Sequence, residues 1–263
     1  MSLLPSTLQR ILESGASTQP TMVLIHGLGV GAWMWRLQLS LFGERYHTLA
    51  PDLPGFSQAE SKVPFSMERA AESILDLIRA SGKGPAHLCG LSLGAQVALQ
   101  AYQSEPEMVA SLILSGGQVH PGRAHMAARR AIVRLLPKRA IASSMLPEVQ
   151  KRYPELQVDA TAFADQLSKR GILTAMRALG RSDFRPLLPG IGVPTLVLCG
   201  ADDRASLPAS RLIAAAIPRA ELQIVPGVGH LWNLEQPDLF GHTVLDFLRM
   251  VDSQLPALPP AHR

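Results

Sequence analysis

A serine, an acid and a histidine in this chain each follow a run that reads as a β-strand, and together they could perform nucleophilic catalysis. Ser92 is the centre of Gly90-Leu91-Ser92-Leu93-Gly94, between the apolar run 86–89 and the helical run 95–101. A serine on a sharp strand-to-helix turn is held in a strained backbone and presents its hydroxyl outward. The flanking glycines let strand and helix pass closely. The helix N-terminus behind the serine offers free N–H groups and a positive dipole end, both suited to an oxyanion. A neutral serine is a weak nucleophile. It needs a base, and the base needs a carboxylate to orient it. Val193–Cys199 is closed by Gly200-Ala201-Asp202-Asp203, and Leu222–Val225 is followed by Pro226-Gly227-Val228-Gly229-His230. Both positions lie just past a strand's carboxyl end, where α/β sheets place their sites. The order Ser, Asp, His belongs to one fold among the unrelated folds that carry such triads. Upstream, Met22–Ile25 ends in His26-Gly27-Leu28-Gly29, and these glycines allow backbone to approach a ligand closely.

The elements that must hold these residues alternate along the chain. The pattern predicts strand 22–25, helix near 33–43, strand 46–50, helix 66–80, strand 86–89, helix 95–104 and strand 110–115. It resumes with strand 193–199, helix 206–217, strand 222–225 and helix 237–251. In the 66–80 helix, Met67, Ala70, Ala71, Ile74, Leu75 and Ile78 recur at helical spacing, with Ser66 as the expected N-cap. Alternating strand and helix predicts an α/β fold: a mostly parallel central sheet with helices on both faces. Leu8–Glu13 reads as either a short helix or a strand. The tail Leu255–Pro260 is too rich in proline to extend a helix.

Five motifs run in order from about residue 21 to about residue 250: His26–Gly29, Asp52-Leu53-Pro54-Gly55-Phe56, Gly90–Gly94, Gly200–Asp203 and Gly229-His230. Together they resemble the α/β-hydrolase superfamily, and within it the serine carboxylesterases that carry a helical cap. The resemblance implies that Ser92 is the nucleophile and His230 the general base. It favours Asp203 over Asp202 as the acid, because the family acid stands three residues after the strand-ending glycine. Backbone N–H groups of Leu28 and Leu93 would form the oxyanion hole. It implies no metal and no organic cofactor. The serine argues against the dehalogenases and epoxide hydrolases, which use an aspartate at that position. The family carries one or two extra antiparallel strands at the N-terminus, and the leader here looks too short for both.

The stretch 118–190 interrupts the alternation where the family inserts a helical cap, so residues 1–117 and 191–263 are expected to form the core and 118–190 the cap. The cap holds 13 Lys and Arg against 5 acids, and this net +8 exceeds the net +4 of the whole 263-residue chain. Such a charge excess reads as a solvated helical face or as a lid that steers an acidic substrate or an acidic acyl carrier protein. The basic stretch lacks interleaved aromatics and any recognition motif, which argues against nucleic-acid binding. No apolar run approaches the length that spans a bilayer. No basic segment precedes an apolar one at the N-terminus, which argues against a signal peptide. With two isolated cysteines, Cys89 and Cys199, the expected home is cytoplasmic.

Other residues carry more modest expectations. Trp33 and Trp232 are candidates for the substrate pocket, with core packing as the alternative. The His26 imidazole is expected to be structural, and Asp52 to cap backbone N–H groups. His87, His120, His125 and His242 lack metal-ligand spacing. The expected activity is hydrolysis of a small carboxylic ester, thioester or lactone through an acyl-enzyme. The alternatives are a methyl-ester esterase acting on acyl carrier protein, a carbon–carbon bond hydrolase of aromatic breakdown, and a hydrolase-like receptor.

Overall fold

The computed structural model describes residues 11–56, 64–145 and 167–254. Among the described residues seven strands form one sheet: β1 (Ile11–Ser14), β2 (Thr21–Ile25), β3 (His47–Pro51), β4 (Ala86–Leu91), β5 (Val109–Ser115), β6 (Thr195–Gly200) and β7 (Ala220–Val225). Their spatial order is β1-β3-β2-β4-β5-β6-β7. All neighbours pair in parallel except β1, which runs antiparallel to β3. Every residue of β2, β3, β4 and β6 is buried. Near-continuous burial is the mark of a parallel sheet covered on both faces. The antiparallel first strand settles the ambiguous leader: Ile11–Ser14 is an edge strand, and Leu8 to Arg10 lie outside the described residues.

The helices are α1 (Arg36–Gly43), α2 (Met67–Ser81), α3 (Leu93–Ser104), α4 (Arg123–Leu135), α5 (Lys138–Met145), α6 (Lys169–Leu179), α7 (Leu207–Ala216), α8 (Trp232–Glu235) and α9 (Pro237–Gln254). A 3-10 turn, Ala32–Trp35, leads into α1. In α2 the sequence signals act as expected. Ser66 Oγ accepts from the Arg69 N–H, the six residues named above are all buried, and Gly82 ends the helix in the left-handed conformation at φ +65°. The tail from Leu255 onward lies outside the described residues. No helix among the described residues is long and apolar enough to cross a membrane.

Between β5 and β6 the chain leaves the sheet for α4, α5 and α6. Lys169 Nζ, at the start of α6, donates to the carbonyl oxygens of Arg134 (2.9 Å) and Leu136 (2.6 Å). Those carbonyls end α4, where a cation meets both unpaired acceptors and the negative dipole end. One of the basic residues is thus a tie between two helices. Helix α6 is also fastened to the core. The Phe65 N–H donates to Thr174 Oγ1 at 3.1 Å, and a Cβ on Gly171 would stand 2.3 Å from the Gly55 carbonyl oxygen.

Candidate active site

Ser92 stands between the end of β4 and the start of α3 with φ +57° and ψ −112°. Among the described residues it alone, other than glycine, has a positive φ. Holding a non-glycine residue there costs on the order of 1–3 kcal/mol, so the surroundings must enforce it. Two close approaches do so. A Cβ on Gly90 would meet the Gly94 backbone at 2.3 Å, and a Cβ on Gly94 would stand 2.0 Å from the Ile25 carbonyl oxygen. The strand, the turn and the neighbouring β2 are packed backbone against backbone, and only glycine fits at either position. The Ser92 N–H donates to the Ser115 carbonyl oxygen at 2.8 Å. The Ser92 side chain makes no capping hydrogen bond to its own helix, so its hydroxyl is left to the cavity above it.

The acid and the histidine meet as a pair. His230 Nδ1 lies 2.6 Å from Asp203 Oδ2. Asp203 Oδ1 accepts from the Ser206 N–H at 3.2 Å. Burial pushes the Asp203 carboxyl upward, but the His230 and Ser206 hydrogen bonds and the nearby imidazole outweigh it and hold it below its usual value. An ionised carboxylate is acceptor-only, so Nδ1 carries the ring proton and Nε2 is left as the basic lone pair. The side chain of Asp203 is 7 % exposed and that of His230 is 41 % exposed. The neighbouring Asp202 is exposed, and Asp203 is the acid whose carboxylate lies 2.6 Å from the ring.

The loops that carry this pair are cross-tied. The Asp202 N–H donates to the Val228 carbonyl oxygen at 3.0 Å, and a Cβ on Gly200 would stand 2.4 Å from the carbonyl oxygens of Val228 and Gly229. The Gly229 N–H donates to Glu235 Oε2 at 2.9 Å, so the buried Glu235 fixes the backbone just before the histidine. Gly116, past the end of β5, faces the pair directly: a Cβ there would stand 3.0 Å from His230 Cε1.

Ser92, Asp203, His230, Leu28 and Leu93 all line one cavity of about 440 Å³. Leu93 is the first residue of α3, so its N–H has no partner within the helix. Leu28 follows β2 on the His26–Gly29 loop, and Gly29 adopts φ +78°. The cavity floor comes from these core loops. Its wall comes from the inserted helices, through Met126, Val133, Ile172 and Met176.

Two pocket candidates lie elsewhere. Trp232 is 1 % exposed, donates from Nε1 to Ser115 Oγ at 3.1 Å and packs edge-on against Phe240 at 4.6 Å. It is a core residue just behind the histidine loop, because its indole N–H finds its partner inside the sheet. Trp33 is half-buried against the main core and does not line this cavity. Two lining residues, Gln96 and Arg129, carried no expectation. Gln96 lies in the first turn of α3, the helix that follows Ser92, close enough in sequence to have been considered. Arg129 was hidden in a stretch read only as net charge.

Asp52 and His26 hold the floor in place. Asp52 Oδ1 accepts from the Ala32 N–H at 2.7 Å. His26 is fully buried. Its Nε2 accepts from the Leu53 N–H at 2.9 Å, so Nδ1 carries the proton and donates to the Gly27 carbonyl oxygen at 2.8 Å. Burial drives its pKa below the ordinary 6.5, against the weaker opposing pull of the Gly27 hydrogen bond. Between that lowered value and 6.5 the unfolded chain binds more protons than the native one. The His26 contribution to stability is therefore present above 6.5 and lost as pH falls below it. In denaturation at pH 7, 6 and 5, His26→Asn is expected to flatten the pH dependence of stability. Equal slopes in both proteins would remove His26 as its source.

The sequence profile of the Alpha/beta hydrolase family matches residues 22–242. The chain is 29 % identical over 246 residues to a proposed carbamate hydrolase, RutD, of Klebsiella pneumoniae, covering 87 % of this chain and 91 % of that one. Among solved structures, the enol-lactonase of Burkholderia xenovorans superimposes with a TM-score of 0.82 at 25 % identity, over 93 % of this chain and 99 % of the other. A thermophilic esterase of Thermogutta terrifontis gives 0.80 at 25 %, over 93 % and 97 %. The parallel sheet, the strained serine turn and the family match over most of its length agree, and the chain belongs to the alpha/beta hydrolase family.

Proposed function

We propose that this protein is a serine hydrolase that cleaves a small-molecule carboxylic ester, lactone or thioester through an acyl-enzyme. The observation that carries the reading is the 2.6 Å pair of Asp203 and His230 on the cavity that Ser92 lines from its strained turn. His230 Nε2 takes the Ser92 proton as Oγ attacks the substrate carbonyl. The N–H groups of Leu28 and Leu93 receive the oxyanion. Such a donor typically supplies roughly 3–4 kcal/mol in the transition state. Collapse expels the leaving alkoxide, which takes the proton back from Nε2. A water then repeats the sequence: Nε2 accepts its proton, its oxygen attacks the acyl carbon, and the acid leaves with Ser92 restored. Residues 118–190 act in this reading as a cap that walls the cavity. Among the described residues the His230 ring is hydrogen-bonded to Asp203 and not to Ser92, so the serine–imidazole contact tightens when substrate arrives.

The test is hydrolysis of p-nitrophenyl esters from acetate to long acyl chains. A cavity of about 440 Å³ favours short and medium acyl groups, and turnover is expected to fall beyond them. Failure to cleave any of them would reject the esterase reading. The relative named as a proposed carbamate hydrolase supports a second reading, in which the same groups attack a carbamate carbonyl.

The basic inserted helices support steering of an acidic acyl carrier protein. Arg123, Arg129, Arg134, Lys138 and Arg139 are exposed on α4 and α5. Steering of that kind is screened by salt. The Michaelis constant for a carrier-linked ester is expected to rise from low to high salt, and a flat value would leave these charges as a solvated face.

A further inference from the structure

Gln96 stands on α3 one turn after Ser92 and is 3 % exposed. Its Nε2 donates to the Gln118 carbonyl oxygen. That bond fixes the orientation of the amide and leaves Oε1 as its other arm. Oε1 is buried without a hydrogen-bond partner, on a residue that lines the cavity. A buried acceptor left unpaired costs about 1–3 kcal/mol, so a ligand that brings a donor there gains a hydrogen bond. Gln96 and Ser92 line the same cavity, so the donor belongs in the space where Ser92 meets its carbonyl.

The second observation comes from α4. Arg129 is the single Lys or Arg among the described residues that line the cavity. Its neighbours on the wall, Met126, Val133, Ile172 and Met176, are apolar. Asp203 is the one acid in the lining, and it is engaged by His230 and Ser206. A guanidinium at the rim of an apolar pocket favours a planar anion it can grip with two N–H groups.

We propose that the substrate is an anionic hydroxy- or amido-acyl compound. Arg129 binds its carboxylate, and Gln96 Oε1 accepts from a hydroxyl or N–H near the scissile carbonyl. This assignment rests on the hydrolase reading above and narrows it to a substrate class.

Two pairs of methyl esters test it, with acid release followed by titration. Monomethyl succinate is compared with its neutral isostere methyl 4-methylpentanoate, and methyl 3-hydroxybutyrate with methyl 3-methoxybutyrate. The wild type is expected to prefer the first of each pair in kcat/KM. Arg129→Gln is expected to cut the charged-to-neutral ratio at least tenfold, and Arg129→Lys to retain part of it. Gln96→Leu is expected to cut the hydroxyl-to-methoxyl ratio at least tenfold. Unchanged ratios in either variant, or a wild-type preference for the neutral and methoxyl esters, overturn the proposal while the hydrolase reading stands. If the wild type cleaves none of the four esters, the p-nitrophenyl series decides the hydrolase reading, and calorimetric titration with 3-hydroxybutyrate, butyrate and butane-1,3-diol decides the pocket without turnover. Tighter binding of 3-hydroxybutyrate than of the other two, weakened by each substitution, upholds it. Equal or absent binding overturns it.

Discussion

Ser92→Ala is expected to lower the turnover number for p-nitrophenyl esters by roughly 10⁶-fold, the loss typical when a triad's nucleophile is removed. The fold should survive. The strained turn is enforced by Gly90 and Gly94 against backbone atoms and by the Ser92 N–H bond to Ser115, none of which involves the hydroxyl. Circular dichroism and the thermal midpoint of the variant should therefore match the wild type. A variant that is folded and still turns over esters at near the original rate would place the nucleophile elsewhere. Because the remaining groups act only on what Ser92 attacks, removing His230 in addition should cost little more.

Asp203→Asn is expected to cost about 10⁴-fold in turnover, and Asp202→Asn less than about tenfold. The reason lies in the tautomer. An asparagine at 203 can turn its NH₂ toward Nδ1, which moves the ring proton to Nε2 and leaves no base facing the serine. Asp202 is exposed, whereas the Asp203 carboxylate is the one 2.6 Å from Nδ1. The reverse order of effects would assign the carboxylate to 202. Acid also acts on stability at this site. The Asp203 carboxyl sits below its usual value of 3.8, so its contribution is present above that pH and lost as pH falls below it.

The serine turn and the alternation of elements were legible because both are local. Glycines flanking a serine between an apolar run and a helical run leave few backbone solutions, and α2 announces its own N-cap, stripe and terminator. The order of Ser92, Asp203 and His230 added a long-range constraint, since each had to follow a strand. The tryptophans were not legible. Trp33 and Trp232 sit beside site residues in sequence, but indole rings go where their area is buried and their N–H is satisfied, and for Trp232 that place was Ser115 on β5. Sequence distance could not supply that contact, 117 positions away. The chemistry of the wall was lost for a related reason. A tally of charges over 118–190 could not distinguish Lys169, spent on closing α4, from Arg129, an exposed residue that also lines the cavity. The edge strand was ambiguous because four residues with half-buried faces carry too little period to separate helix from strand.

The cavity joins a floor of core loops to a wall of inserted helices. The floor is locked by contacts that admit no side chain at Gly90, Gly94 or Gly200, so almost any change there damages the reaction itself. The wall residues Met126, Val133, Ile172 and Met176 lie on α4 and α6, outside the sheet. Substitutions in α4 and α6 can therefore reshape the cavity while the backbone contacts of the serine turn stay as they are. What the cavity admits and what its floor holds in place are set by separate parts of the same molecule.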